Sequence, residues 1–423
     1  MSSDPNQVLV IENGTLIDGT GSPPRPNGRI VIRGGKIAEV ELGAVLEPRA
    51  GTTTIDATGQ FILPGLIDGH VHISMFQGTP KGIRYPSSAE YSTLHAARSL
   101  LPTLRAGVTS ISVPGGRWFV DATIRDAVAN GLLQGPRIFC AGQALTPYGG
   151  IFDNRPSWEG GLPPDAVGVL CNTVDDYVVE VRRQAKHGVD MIKIADSYWG
   201  DNQTVTRTEI AAVVEEAHRR GVRVVIHARG GGTTRDAALA GVDWIFHADH
   251  ASEADLDIVA EAEIPIMPVF AQGQITIDHG ADHGFSTETR ERLKTQLEIN
   301  VRAIEMARER GIKILVGTDS GNGSVTTPGR YHGYEAAFLV KHLGFTSLEV
   351  IAAHTRDNSL VMGFEGDLGT IEPGMIADLL ILDADPVSDI AVLGDPAHVQ
   401  AIVKDGKPID LAQLDAALSA PLF

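Results

Sequence analysis

The property that most restricts what this 423-residue chain can fold into is a rhythm running from residue 64 to residue 363. Short apolar runs rich in Val and Ile alternate there with longer amphipathic segments. The runs are the segment before Asp68, then Thr109–Val113, Arg137–Ala141, Met191–Ile194, Val222–Ile226, Trp244–Phe246, Ile264–Val269 and Ile312–Val316. Between them, Ser88–Arg105, Val174–His187, Arg207–Arg220 and Thr287–Arg310 carry helical spacing. Strands apolar on both faces suit a parallel sheet covered by helices, and parallel neighbours need helical crossovers. Eight such units predict an α/β fold, a (β/α)8 TIM-like barrel.

The two ends have a different texture. Val8–Ile11 and Gly28–Ile32 are β-rich, and Gly34-Gly35 joins the latter to Lys36–Val40 as a hairpin. The run from Ala377 to Leu382 and the run Val399–Val403 repeat that pattern near the end. Residues 1–63 plus 364–423 are therefore expected to build one small β-sandwich domain, leaving 64–363 as the barrel. The long stretch from Tyr148 to Val169 is expected to cover the barrel mouth.

Composition removes several classes of function. Lys+Arg number 35 against 53 Asp+Glu, a net charge of −18, which disfavours nucleic acid or an anionic membrane as partner. Two cysteines, Cys140 and Cys171, cannot supply a disulfide framework or a cysteine-rich metal site. The opening residues lack the basic and apolar regions of a signal peptide, and no run reaches about 18 apolar residues. A cytoplasmic protein with a small-molecule substrate is the expectation.

Polar residues at the ends of the runs carry the chemistry. In a (β/α)8 barrel the strand C-termini converge on one mouth. The first run closes as Asp68-Gly69-His70-Val71-His72, and period-2 alternation points His70 and His72 the same way. Lys193 interrupts the apolar fourth run, where an ammonium is costly to bury. Such a lysine pairs with an acid, loses its proton, or is modified; CO2 would turn it into a carbamate able to bridge two cations. His227 and His247 end the fifth and sixth runs, and Asp319 the eighth. Singly each is an ordinary strand-end or capping residue; together they offer neutral imidazoles, a carbamate and a carboxylate, a set that suits two Zn2+-like ions.

With these residues in place, the sequence resembles the amidohydrolase superfamily of metal-dependent hydrolases, in particular its binuclear prolidase-like and imidazolonepropionase-like branch. The stretches from Phe61 to His72 and from Gly369 to Leu379 carry the likeness, as does Asn13–Gly21 at the start. The resemblance implies that His70, His72 and Asp319 hold the more buried ion, that carboxylated Lys193 bridges both, and that His227 and His247 hold the more exposed one. Zn2+ is the default metal. His247 is preferred to His250 because it ends the strand directly; His279, His283, His332 and His354 are expected to be solvent-facing or capping.

The same resemblance implies amide hydrolysis by a hydroxide held between the two ions, with Asp319 moving the proton, and a homo-oligomer. Hydrolysis of a cyclic amide, lactone, carbamate or urea is the alternative; deamination would not need Lys193, and a non-catalytic scaffold would not keep all the ligands. Arg229, Tyr148 and Tyr198 are the candidates for substrate contact. Arg229 stands where prolidase-like members carry a second histidine. After Lys193 the run Ala195–Gly200 replaces their small, glycine-rich segment, and its Tyr198 and Trp199 point to a bulky acyl or aryl group.

Overall fold

The computed structural model describes residues 8–43, 52–75, 88–153, 155–322 and 325–419. Residues 1–7, part of the opening examined above for a leader, lie outside them. Among the described residues no helix is long and apolar enough to cross a membrane.

Eight parallel segments close into a ring. Leu66–Asp68 pairs with Val108–Val113, which pairs with Arg137–Cys140. Cys140 O then accepts the Asp190 N–H at 2.9 Å, and Ala144–Thr146, continuing the third segment, meets Met191–Ala195. Arg223–Gly230, Trp244–His250 and Ile266–Met267 follow in order. Residues 312–316 complete the circuit: Ile314 bridges Ile266, and the Gly69 N–H donates to Val316 O at 3.0 Å. This is the (β/α)8 arrangement that the rhythm predicted. Its interior is filled by Ile67, Met191, Val225, Trp244, Phe246, Met267 and Leu315, so the lower ring is a packed core.

Two segments depart from expectation. The seventh strand is Ile266–Met267 rather than Ile264–Val269. Pro265 and Pro268 have no N–H to give a ladder, and Val269 turns left-handed at φ 62°. Residues 312–316 form no regular strand, because the Asn358 side chain stands between them and the first strand. Its Nδ2 donates to Ile67 O and Val316 O, each at 2.6 Å, and its Oδ1 accepts the Val316 N–H at 3.1 Å. One buried amide thus satisfies backbone groups that a ladder would have paired.

The helices begin where the sequence placed them. Ser88, Thr173, Thr206 and Ser286 cap Ala89–Arg105, Val174–Lys186, Arg207–His218 and Thr287–Glu309 through their side-chain oxygens. Asp176 and Glu209 complete reciprocal capping boxes in the second and third of these.

Strands from both ends of the chain share one sheet. Its order is Lys407–Pro408, Val399–Lys404, Leu379–Leu382, Phe61–Pro64, Val8–Leu16, Arg25–Arg33 and Lys36–Leu42, with Thr53–Asp56 also paired to Val8–Leu16. The Gly34-Gly35 hairpin forms as expected, with Arg33 opposite Lys36. Where a sandwich was expected, the hydrogen bonds join all eight strands into one sheet that bends around Ile11, Leu16, Ile30, Ile32, Ile62, Ile381 and Val403. Phe61–Pro64 runs from this sheet straight into the first ring strand, so the sheet anchors the segment that carries His70 and His72.

Candidate metal centre

At the mouth of the ring three side chains converge. His70 Nε2 lies 3.2 Å from His72 Nε2, and Asp319 Oδ1 lies 3.5 Å and 3.0 Å from these two atoms. Donor atoms about 2.0–2.1 Å from a tetrahedral ion stand about 3.3 Å apart, so the spacing fits one cation among them. His72 Nδ1 sits 2.7 Å from Gly115 O; donating its proton there, His72 keeps the Nε2 lone pair for a metal. All three residues are buried. Burial opposes the charge on Asp319, yet His70 and His72 outweigh it and hold the carboxyl well below the usual range.

The backbone is bent to make this possible. Asp319 is left-handed, at φ 55°, a conformation costing about 1–2 kcal/mol for a residue with a Cβ. Hydrogen bonds to the end of the first strand hold it: the Asp319 N–H donates to His70 O and the His72 N–H to Ser320 O, both at 2.7 Å. His247 and Ala248, at φ 76° and 59°, are strained in the same way at the end of the sixth strand.

The remaining expected ligands gather beside the triad. The His227 and His247 rings are 4.5 Å apart, and His247 is 6.2 Å from His70. The Lys193 side-chain nitrogen lies 3.6 Å from the centre of the Phe246 ring, and the His70 ring lies 4.2 Å from that same ring. Among the described residues no carboxylate comes within ion-pair distance of Lys193. Burial holds Lys193, His70, His227 and His247 well below their ordinary pKa values. Arg229 lowers both His227 and His247 further. The mouth therefore disfavours charge on these nitrogen donors and favours an ionised carboxylate at Asp319, the direction metal binding requires. The His247 Nδ1 and Asp319 Oδ1 atoms are buried without a hydrogen-bond partner. Together these donors fit bound divalent metal.

The candidates for substrate contact have separate fates. Tyr148 and Tyr198 are both exposed, and Tyr198 stands edge-on to Trp199 with ring centres 4.7 Å apart. Arg229 is instead ion-paired with Asp249, whose side chain is fully buried and also accepts from Gln296. Gln296 lies on the Thr287–Glu309 helix, whose place at the mouth no local sequence pattern signals. Arg292, one turn earlier, holds its guanidinium 4.0 Å over the Trp199 ring. Asn300, one turn later, donates to Pro268 O at 3.2 Å. An i, i+4, i+8 stripe of this helix thus overhangs the fourth, sixth and seventh strand ends.

The long loop is pinned across the mouth: the Ile151 N–H donates to Asp196 O at 2.9 Å, and Arg117, beyond the second strand, pairs with Asp165 at 3.1 Å. His279 and His283 lie on the surface as expected, and His250 is exposed too. His332 and His354 do not; both are fully buried. Burial pushes His354 down to about 4, and His332 is paired with Asp68. The sequence also gave no sign of Asp121, a buried acid 3.1 Å from the Ser74 hydroxyl that burial pushes up to about 7.

The sequence profile described as the amidohydrolase family matches residues 61–409, the whole ring and the returning strands. The chain belongs to the amidohydrolase family. It is a hydrolase of carbon–nitrogen bonds from a metal-dependent family, and His70, His72 and Asp319 form a group able to hold an ion. Among its relatives is ochratoxinase from Aspergillus niger, 28% identical across 96% of this chain and 87% of that protein. Imidazolonepropionase from Sphingopyxis alaskensis is 26% identical over 93% of each. A solved Xaa-Pro dipeptidase with methionine bound in its active site superposes with a TM-score of 0.84, at 28% identity over 96% of this chain and all of that one.

Proposed function

We propose that this amidohydrolase uses two divalent ions to cleave the amide of a substrate with a bulky aromatic portion, an N-acyl amino acid or an aryl amide. The observation that carries this reading is the convergence of His70 Nε2, His72 Nε2 and Asp319 Oδ1, with His227, His247 and a buried Lys193, its pKa lowered by burial, beside them. His70, His72 and Asp319 would hold one ion and His227 and His247 the other. An uncharged lysine amine is the form that adds to CO2: its nitrogen forms the N–C bond and releases a proton, giving a carbamate that can serve both ions. When bound, such ions polarise a carbonyl and bring the pKa of a coordinated water from about 15.7 towards 7.

The rest of the chemistry belongs to the chain. Asp319 accepts the proton of the attacking water and returns it to the leaving nitrogen. Asn322 Nδ2, 3.0 Å from Asp319 Oδ2, fixes the carboxylate plane so that Oδ1 stays with the histidines. Arg229 is committed to the buried Asp249, which moves recognition of a substrate carboxylate to Arg292. That guanidinium is half exposed, and its acid, Asp201 at 3.2 Å, is exposed too and cheaply displaced. Tyr198 and Trp199 offer aromatic surface beside it, and Tyr148 with the long loop would close over the substrate.

The test combines metal analysis with a substrate panel. About two ions per chain, and hydrolysis of N-acyl amino acids, aryl amides or ochratoxin in preference to lactones and simple dipeptides, is the expected result. One ion per chain, or cleavage of lactones alone, would overturn the reading.

A further inference from the structure

Behind the metal-binding triad lies a second buried constellation that the reaction described above does not use. Asp68 is fully buried, two residues before His70. Its Oδ1 accepts the backbone N–H groups of His70 and Thr318, each at 3.1 Å. Its Oδ2 accepts the Thr318 hydroxyl at 2.6 Å and His332 Nδ1 at 2.7 Å. An ionised carboxylate has about four acceptor positions, and all four are taken.

The direction of each bond follows from its partners. The Gly329 N–H donates to His332 Nε2 at 2.8 Å, so that nitrogen carries no proton and the ring proton sits on Nδ1, facing Asp68. The Thr318 hydroxyl, having donated to Asp68, accepts the Ser320 N–H at 3.2 Å. Asp68 therefore grips both neighbours of Asp319 in the chain, Thr318 directly and Ser320 through the Thr318 hydroxyl, as well as the backbone of His70. Asp319 is the residue held in a left-handed conformation, and these bonds act together with those to His70 O and Ser320 O to keep it there.

We propose that His332 is a positioning residue. By filling the last acceptor site of Asp68 it fixes the orientation of that carboxylate, and through Thr318 and Ser320 it sets where the Asp319 side chain points relative to His70 and His72. His332 touches neither the triad nor the mouth. It comes from the segment just before helix Tyr334–Leu343, whose Glu335 accepts the Phe270 and Ala271 N–H groups at 3.0 Å and 2.7 Å. The start of that helix thus grips the first, seventh and eighth strand ends together.

Two substitutions in the 423-residue chain separate the two ring nitrogens, and a third tests the linkage without touching them. His332→Asn keeps an N–H at the position of Nδ1 and loses the acceptor for Gly329. His332→Gln keeps an acceptor near the position of Nε2 and loses the donor to Asp68. Thr318→Val cuts the same linkage from the other side and leaves His332 intact. The probes are Zn2+ affinity by competition with a chelating dye, the visible spectrum of the Co2+-loaded protein, and the melting temperature of the metal-free protein.

His332→Gln and Thr318→Val are expected to weaken Zn2+ binding about 10–100-fold and to alter the Co2+ spectrum. His332→Asn should stay within about threefold of the parent. With any substrate found, His332→Gln should lower kcat with little change in KM. Equal Zn2+ affinity for the Asn and Gln variants would overturn the proposal. So would a loss of affinity matched by an equal fall in metal-free stability for both, since a purely structural role predicts that. If neither His332 variant folds, Thr318→Val with parental Zn2+ affinity would overturn it alone. Because Zn2+ binding is read without turnover, failure here is distinct from failure to find an amide substrate.

Discussion

Lys193 makes the sharpest prediction, because its burial without an acid has a consequence that needs neither metal nor substrate. In the folded, metal-free protein the amine lies against the Phe246 ring, and burial holds its pKa well below the ordinary 10.5. In the unfolded chain it binds a proton up to that ordinary value. Between the two the unfolded state holds one more proton, so the folded state gains stability as pH rises. The slope is about 1.4 kcal/mol per pH unit from this group alone. Lys193→Met keeps a long unbranched side chain and removes the titration.

Urea unfolding of chelator-treated protein in CO2-free buffer, from pH 7 to 9.5, should show the parent gaining stability relative to Lys193→Met as pH rises, at up to about 1.4 kcal/mol per pH unit. The advantage of the variant should therefore be larger at pH 7 than at pH 9.5. Parallel stability curves for the two proteins would mean that Lys193 keeps its charge when folded, and the carbamate reading would lose its starting point.

Other expectations follow from the same geometry. Asp319→Asn should lower kcat about 10²–10⁴-fold while retaining most of the metal, measured by steady-state kinetics beside elemental analysis; retained activity would remove Asp319 from proton transfer. Arg229→Met should destabilise the protein by about 3–5 kcal/mol in urea unfolding, because it strands the fully buried Asp249 carboxylate; pairing it with Asp249→Leu should recover much of that loss. Gly321→Ala should abolish tight metal binding by calorimetry. Gly321 is left-handed at φ +87°, and an added Cβ would fall 1.8 Å from His72 O, driving the Asp319 segment away from the first strand.

Much of this was legible in the sequence because it rests on local patterns. Ser88, Thr173, Thr206 and Ser286 announce helices through a hydroxyl and its own next turn, and the apolar runs announce strands by their neighbours. His70 and His72 are two residues apart on one strand, so their common direction follows from the pleat. The regularity of the seventh and eighth segments was misjudged for the opposite reason. Apolar content said strand, while two prolines and the distant Asn358 decided the hydrogen bonding. The ion pair of Arg229 could not be read in the sequence because its acid, Asp249, comes from a neighbouring strand. His332 read as solvent-facing or capping because its partner lies 264 positions away.

By itself the sequence determined the class of fold, the places where helices begin, and the donor types available at the strand ends, since each depends on residue type and short-range spacing. Tertiary structure decided which donors meet, which charges are spent on each other and which remain for a substrate. It also decided where the backbone is forced left-handed. Those outcomes depend on closing the ring, which brings side chains from distant parts of the chain within three ångströms and removes water from around them.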